Sequence, residues 1–183
     1  MDITPSESPA DSGLPKFWDQ IFLLFLACVI GLVAWIGVIE YREGHKTESI
    51  KRHGEAWGEF FKGNSAKRTE PDYSIEACAA KENGSATWGD CYQALVAPGG
   101  PMDGLENPFF KTPQKLAQKC DTNDRSTVGA LVLEKLTPLP LGSAVPIAVS
   151  AIESGDRIDK KLQIRVSVCD KFSSPIVIGE FQF

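Results

Sequence analysis

Residues 21–39, IFLLFLACVIGLVAWIGVI, run for 19 positions without a charge, and nothing else in the chain limits its architecture as strongly. At about 1.5 Å per residue, a helix of that length matches a hydrocarbon core of about 30 Å. Phe17 and Trp18 flank one end and Trp35 and Tyr41 lie near the other, where aromatic rings favour the headgroup level. Pro15 suits a first helical turn, because its missing N–H would have no partner there. Asp19, in the same turn, can reach the interface and favours the positive end of the helix dipole. A cleaved signal peptide fits less well: the run is longer than an h-region, and no A-x-A site follows it in WIGVIEYREG. The reading is one transmembrane helix over residues 17–40, after a short tail over 1–16.

Charge narrows the partners. The chain has a net charge of -5. Before residue 41 the one cation is Lys16, against five acids, so residues 41–183 carry 18 cations and 19 acids. That balance gives no positive field for a phosphate backbone, and no nucleic-acid partner is expected.

The side of the membrane is contested by two rules. Arg42, Lys46, Lys51 and Arg52 follow the run closely, which by the positive-inside rule would leave the large domain in the cytoplasm. Besides Cys28 in the run, however, there are four cysteines, Cys78, Cys91, Cys120 and Cys169, with no CxxC or Cys/His spacing. Two disulfides account for them most economically and require an oxidising compartment. Large domains translocate with little regard for charge, so an extracytoplasmic domain on a single-pass inner-membrane protein is expected. Three pairings exist; Cys78 with Cys91 and Cys120 with Cys169 is the expected one.

Residues 40–61 mix charges with Ile50, Trp57 and Phe61 at i, i+7 and i+11, an amphipathic continuation of the helix. Such a continuation would form a stalk, although Gly44, Gly54 and Gly58 weaken its interior. Residues 62–72, KGNSAKRTEPD, have the character of a linker, completing a helix-and-linker region over 41–71. A β-rich, mainly antiparallel domain is expected over 72–183, giving an α+β chain. Its strands are read at 73–78, 92–97, 128–136 and 144–152, then at 162–169 with clear alternation, and in IVIGEFQF as the last arm of a hairpin packed into the sheet. A short helix is read at 112–120, with Thr112 as cap and Pro113 as first helical residue. Residues 97–110, APGGPMDGLENPFF, are irregular, and Met102, Leu105, Phe109 and Phe110 can fold over the core or meet a partner.

Chemistry is not signalled. GxSxG, HExxH, GxGxxG and GxxxxGK[ST] are absent, so no catalytic residue, metal ligand or cofactor is expected. His45 and His53 stand eight apart without a clear third ligand. DTNDRS at Asp121 starts like a calcium loop but has Arg125, Ser126 and Val132 at positions 5, 6 and 12, so it reads as a turn or cap. Asn83-Gly84-Ser85 is a glycosylation sequon.

An apolar-then-amphipathic N-terminal helix, followed by a β-rich domain with a disulfide ending near the C-terminus, resembles type IV pilins and pseudopilins. Residues 30–41, IGLVAWIGVIEY, are similar to the second half of a pilin membrane segment. The processing motif departs: after Gly13 come Pro15 and Lys16, with Trp18 where the family has Glu. The resemblance implies a filament or secretion-apparatus subunit. The residues themselves point to a non-enzymatic, membrane-anchored structural or interaction protein of a bacterial envelope. Its partners would be the bilayer, through 17–40, and other membrane or envelope proteins, with a homo-oligomer as a further form. An envelope enzyme is the rival of another class.

Overall fold

A computed structural model describes residues 15–80, 85–140, 146–158 and 161–183. The sequon's Asn83 and Gly84 lie outside these residues. The chain divides between Arg42 and Glu43 into two units.

Helix α1 spans Pro15–Asn64. By length and composition it is the one helix among the described residues able to cross a membrane. Its apolar side chains from Phe17 to Ile39 are exposed.

From Glu43 onward the same helix is the core element of an α+β unit. Ile50, Trp57 and Phe61 are buried at 0–2% exposure, at the i, i+7, i+11 spacing that places them on one face. Gly54 and Gly58 lie on that face too. A Cβ on Gly54 would stand 2.7 Å from Ile178 Cγ1 and 2.9 Å from Val168 Cγ1, and one on Gly58 would meet the Phe181 ring. These glycines admit the sheet rather than weaken the helix. Residues 43–64 are therefore a core helix and not a stalk.

The sheet has the order β3–β4–β6–β7, with β3 at Leu116–Ala117, β4 at Leu131–Pro138, β6 at Gln163–Cys169 and β7 at Pro175–Gln182. Strand β5, Ile147–Ala151, also pairs with β4. All pairings are antiparallel except β3 with β4. Alternation sets the inner face: Leu131, Leu133, Ile164, Val166 and Val168 turn toward α1. On the outer face Glu134, Arg165 and Glu180 are cross-strand partners, and Arg165 donates from Nη2 to Glu180 Oε1 at 2.8 Å. Ser167 and Cys169 also belong to that face yet are buried, because the Cys120–Cys169 disulfide and Ala117, Ala130 and Val132 cover its end. Phe183 is fully buried, its ring 4.9 Å from that of Phe61, as expected of a packed last strand.

Three assignments read from the sequence are corrected. Residues 73–78 are not a strand: a 3-10 turn occupies Glu76–Cys78, closed by Cys78 N–H to Ile75 O at 2.8 Å. Residues 92–97 belong to helix α2, Trp88–Val96. Thr87 caps it by accepting from Asp90 N while its hydroxyl donates to the Asp90 carboxylate at 2.6 Å, a reciprocal cap placed just before the stretch that looked like a strand. Trp88, Cys91 and Leu95, at i, i+3 and i+7, are its buried face. Residues 112–120 hold no helix: Thr112–Pro113 form β2, paired with β1 at Glu106–Asn107, and β3 follows. Lys111, at φ 54°, turns the chain back before Thr112 can act as a cap.

Arg68, in the segment read as a linker, is 1% exposed. Its Nε donates to Cys78 O at 2.6 Å, its Nη2 to Ile158 O, and its guanidinium lies 3.8 Å from the Phe183 ring centroid. The polar composition of residues 62–72 thus contains a buried tie between three parts of the domain.

Candidate functional site

The irregular segment after α2 is ordered by one amide. Asn107 is 5% exposed; its Nδ2 donates to Val128 O at 2.7 Å and its Oδ1 accepts from Phe109 N at 2.9 Å. A Cβ on Gly129, which has φ +69°, would stand 2.7 Å from Asn107 Nδ2, so the approach requires glycine there. Asp103 Oδ2 accepts from Gly99 N at 2.9 Å and closes the start of the loop.

The four apolar residues singled out in this loop separate onto two surfaces. Met102, buried, and Leu105, half-buried, line a hollow of about 340 Å³ whose walls include Trp57, Tyr92 and Leu116. The Trp57 and Tyr92 rings are stacked, 6.0 Å between centroids at 16°. Beside it, Gln114 has both amide atoms buried without a hydrogen-bond partner, as has Nδ1 of His53. Burial first, then the Arg52 guanidinium, push the His53 pKa below its ordinary value, while the Gln114 amide, close but without a well-formed hydrogen bond, opposes them. Neither polar residue was singled out as a pair from sequence; only their approach through the fold reveals it.

Phe109 and Phe110 line a second hollow, of about 500 Å³, with Glu43, Arg125, Lys171 and Phe172. Phe109 packs on the core, whereas Phe110 is 51% and Phe172 66% exposed. Lys171 Nζ bonds Glu43 Oε2 at 2.8 Å, and that hydrogen bond, with the ammonium's charge, holds the Glu43 carboxyl below the usual carboxylate range. Lys46 Nζ stands 5.8 Å from the Phe109 centroid. Phe172 carried no signal in the sequence beyond its place in the turn KFSSP.

The cysteines pair as Cys78–Cys91, joining the 3-10 turn to α2, and Cys120–Cys169, joining the segment after β3 to the end of β6. Cys28 is free and exposed within the apolar run. In a chain-entropy picture, sequence separations of 13 and 49 correspond to about 3 and about 4 kcal/mol.

Among the described residues no group of three His, Cys, Asp or Glu side chains is placed to hold a metal. The Asp121 cluster forms turns: Asp121 Oδ1 accepts from Asn123 N at 3.0 Å, and Asp124 Oδ1 from Ser126 N at 2.9 Å, capping the 3-10 turn at Arg125–Thr127. Both carboxyls are held below their ordinary pKa, Asp121 mainly by the Asn123 N–H and Asp124 mainly by the Ser126 side chain.

The architecture defines a class, an α+β unit with two disulfides in a chain that also carries one helix able to span a bilayer. Comparison with family profiles, curated proteins and solved structures finds no match to this chain.

Proposed function

We propose that the chain is a non-enzymatic, single-pass membrane protein of a bacterial envelope whose extracytoplasmic domain binds other membrane or envelope proteins. The observation that carries this reading is the coupling of two disulfides to a domain that starts at Glu43, four residues after the apolar run ends at Ile39. Cystine bridges persist where thiols are oxidised, and such a domain is held at the outer face of the membrane that anchors it. The hollow bounded by Met102 and Leu105 is the surface offered to a protein, since its walls of Trp57, Tyr92 and Leu116 suit an apolar side chain.

A membrane-impermeant thiol reagent applied with and without reduction tests the compartment. Cys78, Cys91, Cys120 and Cys169 should label only after reduction, in cells whose outer barrier is permeable but whose inner membrane is intact. Labelling without reduction, and only after lysis, would place the domain in the cytoplasm and end this reading.

A pilin-like filament subunit is the second reading. It is favoured by the packing of residues 50–61 of α1 on an antiparallel sheet, with a disulfide ending at Cys169. Recovery of the chain in sheared filaments supports it; stable co-purification with an inner-membrane complex supports the first.

A further inference from the structure

The second hollow has a chemistry unlike the first. Two exposed phenylalanines, Phe110 in the β1–β2 turn and Phe172 in the β6–β7 turn, stand at one hollow with the cations Arg125 and Lys171, and Lys46 lies over the adjoining Phe109 ring. Lys171 Nζ is also 5.0 Å from the Phe172 centroid. Apolar rings interleaved with cations suit the boundary between acyl chains and phosphates, where rings enter the apolar side and cations meet the headgroups.

Chain connectivity keeps Glu43, at the rim of this hollow, close to such a boundary. Glu43 lines the hollow and bonds Lys171, and it follows Ile39, the last residue of the apolar run, by four positions. Four residues reach at most about 14 Å even when fully extended, so the bound holds whatever the course of the chain. The headgroup layer itself is about 5–8 Å deep on each side. A hollow joined to the apolar run through so short a tether meets lipid at a high effective concentration, and weak individual contacts suffice.

We infer that the surface formed by Phe110, Phe172, Arg125, Lys171 and Lys46 is a docking site for bilayer phospholipids, the rings entering the interface and the cations contacting phosphates. The inference rests on the membrane-anchored reading and assigns Phe110 to lipid rather than to a protein partner.

The test uses the full chain with a benzophenone amino acid at Phe172, at Phe110 or at Leu139, reconstituted into vesicles of phosphatidylcholine mixed with phosphatidylglycerol. Leu139 is also exposed, at 40%, and follows β4, whose eight residues, at about 3.3 Å each, carry the chain about 26 Å from the strand's start near Val128 of the hollow. Irradiation should give phospholipid adducts at 172 and 110 several-fold above those at 139. Retention of the chain in alkaline carbonate with equal adduct yields at the three positions would overturn lipid docking alone, as would protein adducts in place of lipid at 172. Release by carbonate would overturn the membrane anchor and this inference with it.

Discussion

The glycines on the inner face of α1 make a prediction whose sign depends on packing. In an open helix, replacing glycine by alanine stabilises by about 1 kcal/mol. At Gly54 the new methyl would lie 2.7 Å from Ile178 Cγ1 and 2.9 Å from Val168 Cγ1, against an optimal carbon separation of about 3.5–4.0 Å. Val168 is fully buried and β-branched, so it cannot swing aside. Overpacking of this kind costs about 1–3 kcal/mol, and from the middle of that range Gly54→Ala should destabilise by about 1 kcal/mol net. Gly44, on the same helix with nothing within 4 Å of its Cβ position, supplies the control, and Gly44→Ala should stabilise by about 1 kcal/mol. For a chain of this size the two variants should differ in Tm by roughly 4–8 °C. The readout is near-ultraviolet dichroism of the buried Trp57, Trp88 and Phe183 cluster in detergent micelles, with disulfides intact. Adding Val168→Ala to Gly54→Ala should cost less than the sum of the single effects, by up to about 1 kcal/mol, because it removes one of the two obstructing groups and leaves Ile178. If Gly54→Ala raises the midpoint as Gly44→Ala does, the close approach of helix and sheet is refuted.

Arg68→Leu should destabilise by about 3 kcal/mol or more in denaturant titration, since it leaves the Cys78 and Ile158 carbonyls buried and removes the guanidinium over Phe183. Arg68→Lys should recover little, because a point charge cannot reproduce the fork; full recovery would refute the two-carbonyl role. His53 gives a pH dependence. Its folded-state pKa lies below its unfolded value, so the unfolded chain binds the extra proton first, and stability is complete above about pH 6.5 and declines as pH falls from there toward the folded-state pKa. Denaturation midpoints measured across that window should lose part of their slope in His53→Gln; an unchanged slope would assign the effect to other groups.

What could be read directly in the sequence were the features with a strong period or a strong composition. The run at residues 21–39, the stripe of Ile50, Trp57 and Phe61, and the alternation from Ile164 to Val168 each appear in the structure where they were expected. The short segments were misread, because local signals of similar strength compete within a few residues. YQALVA has the apolar content of a strand, but Thr87 and Asp90 upstream fix a helix. Thr112 and Pro113 look like a helix start, but Asn107 and Lys111 have already reversed the chain. Arg68 was hidden for another reason: its carbonyl partners come from Cys78 and Ile158, which no pattern around residue 68 announces. The same long-range logic conceals the hollow lined by Met102 and Trp57 and the one shared by Phe110 and Phe172.

The burial of Phe183 against Phe61 has a consequence for biogenesis. The helical face that becomes the centre of the domain is synthesised early, but the strands that cover it, β6 and β7, are made only after more than a hundred further residues. During that interval Ile50, Trp57 and Phe61 have at most β4 and β5, not the complete sheet, to pack against. At typical elongation rates of about 5–20 residues per second the gap lasts several seconds or more. Cys78 and Cys91 can meet as soon as α2 has formed, whereas Cys120 must wait for Cys169. Oxidation of the nascent chain therefore has an order written into it, with the local bridge able to close first and the bridge that seals the sheet able to close only once Cys169 has been made.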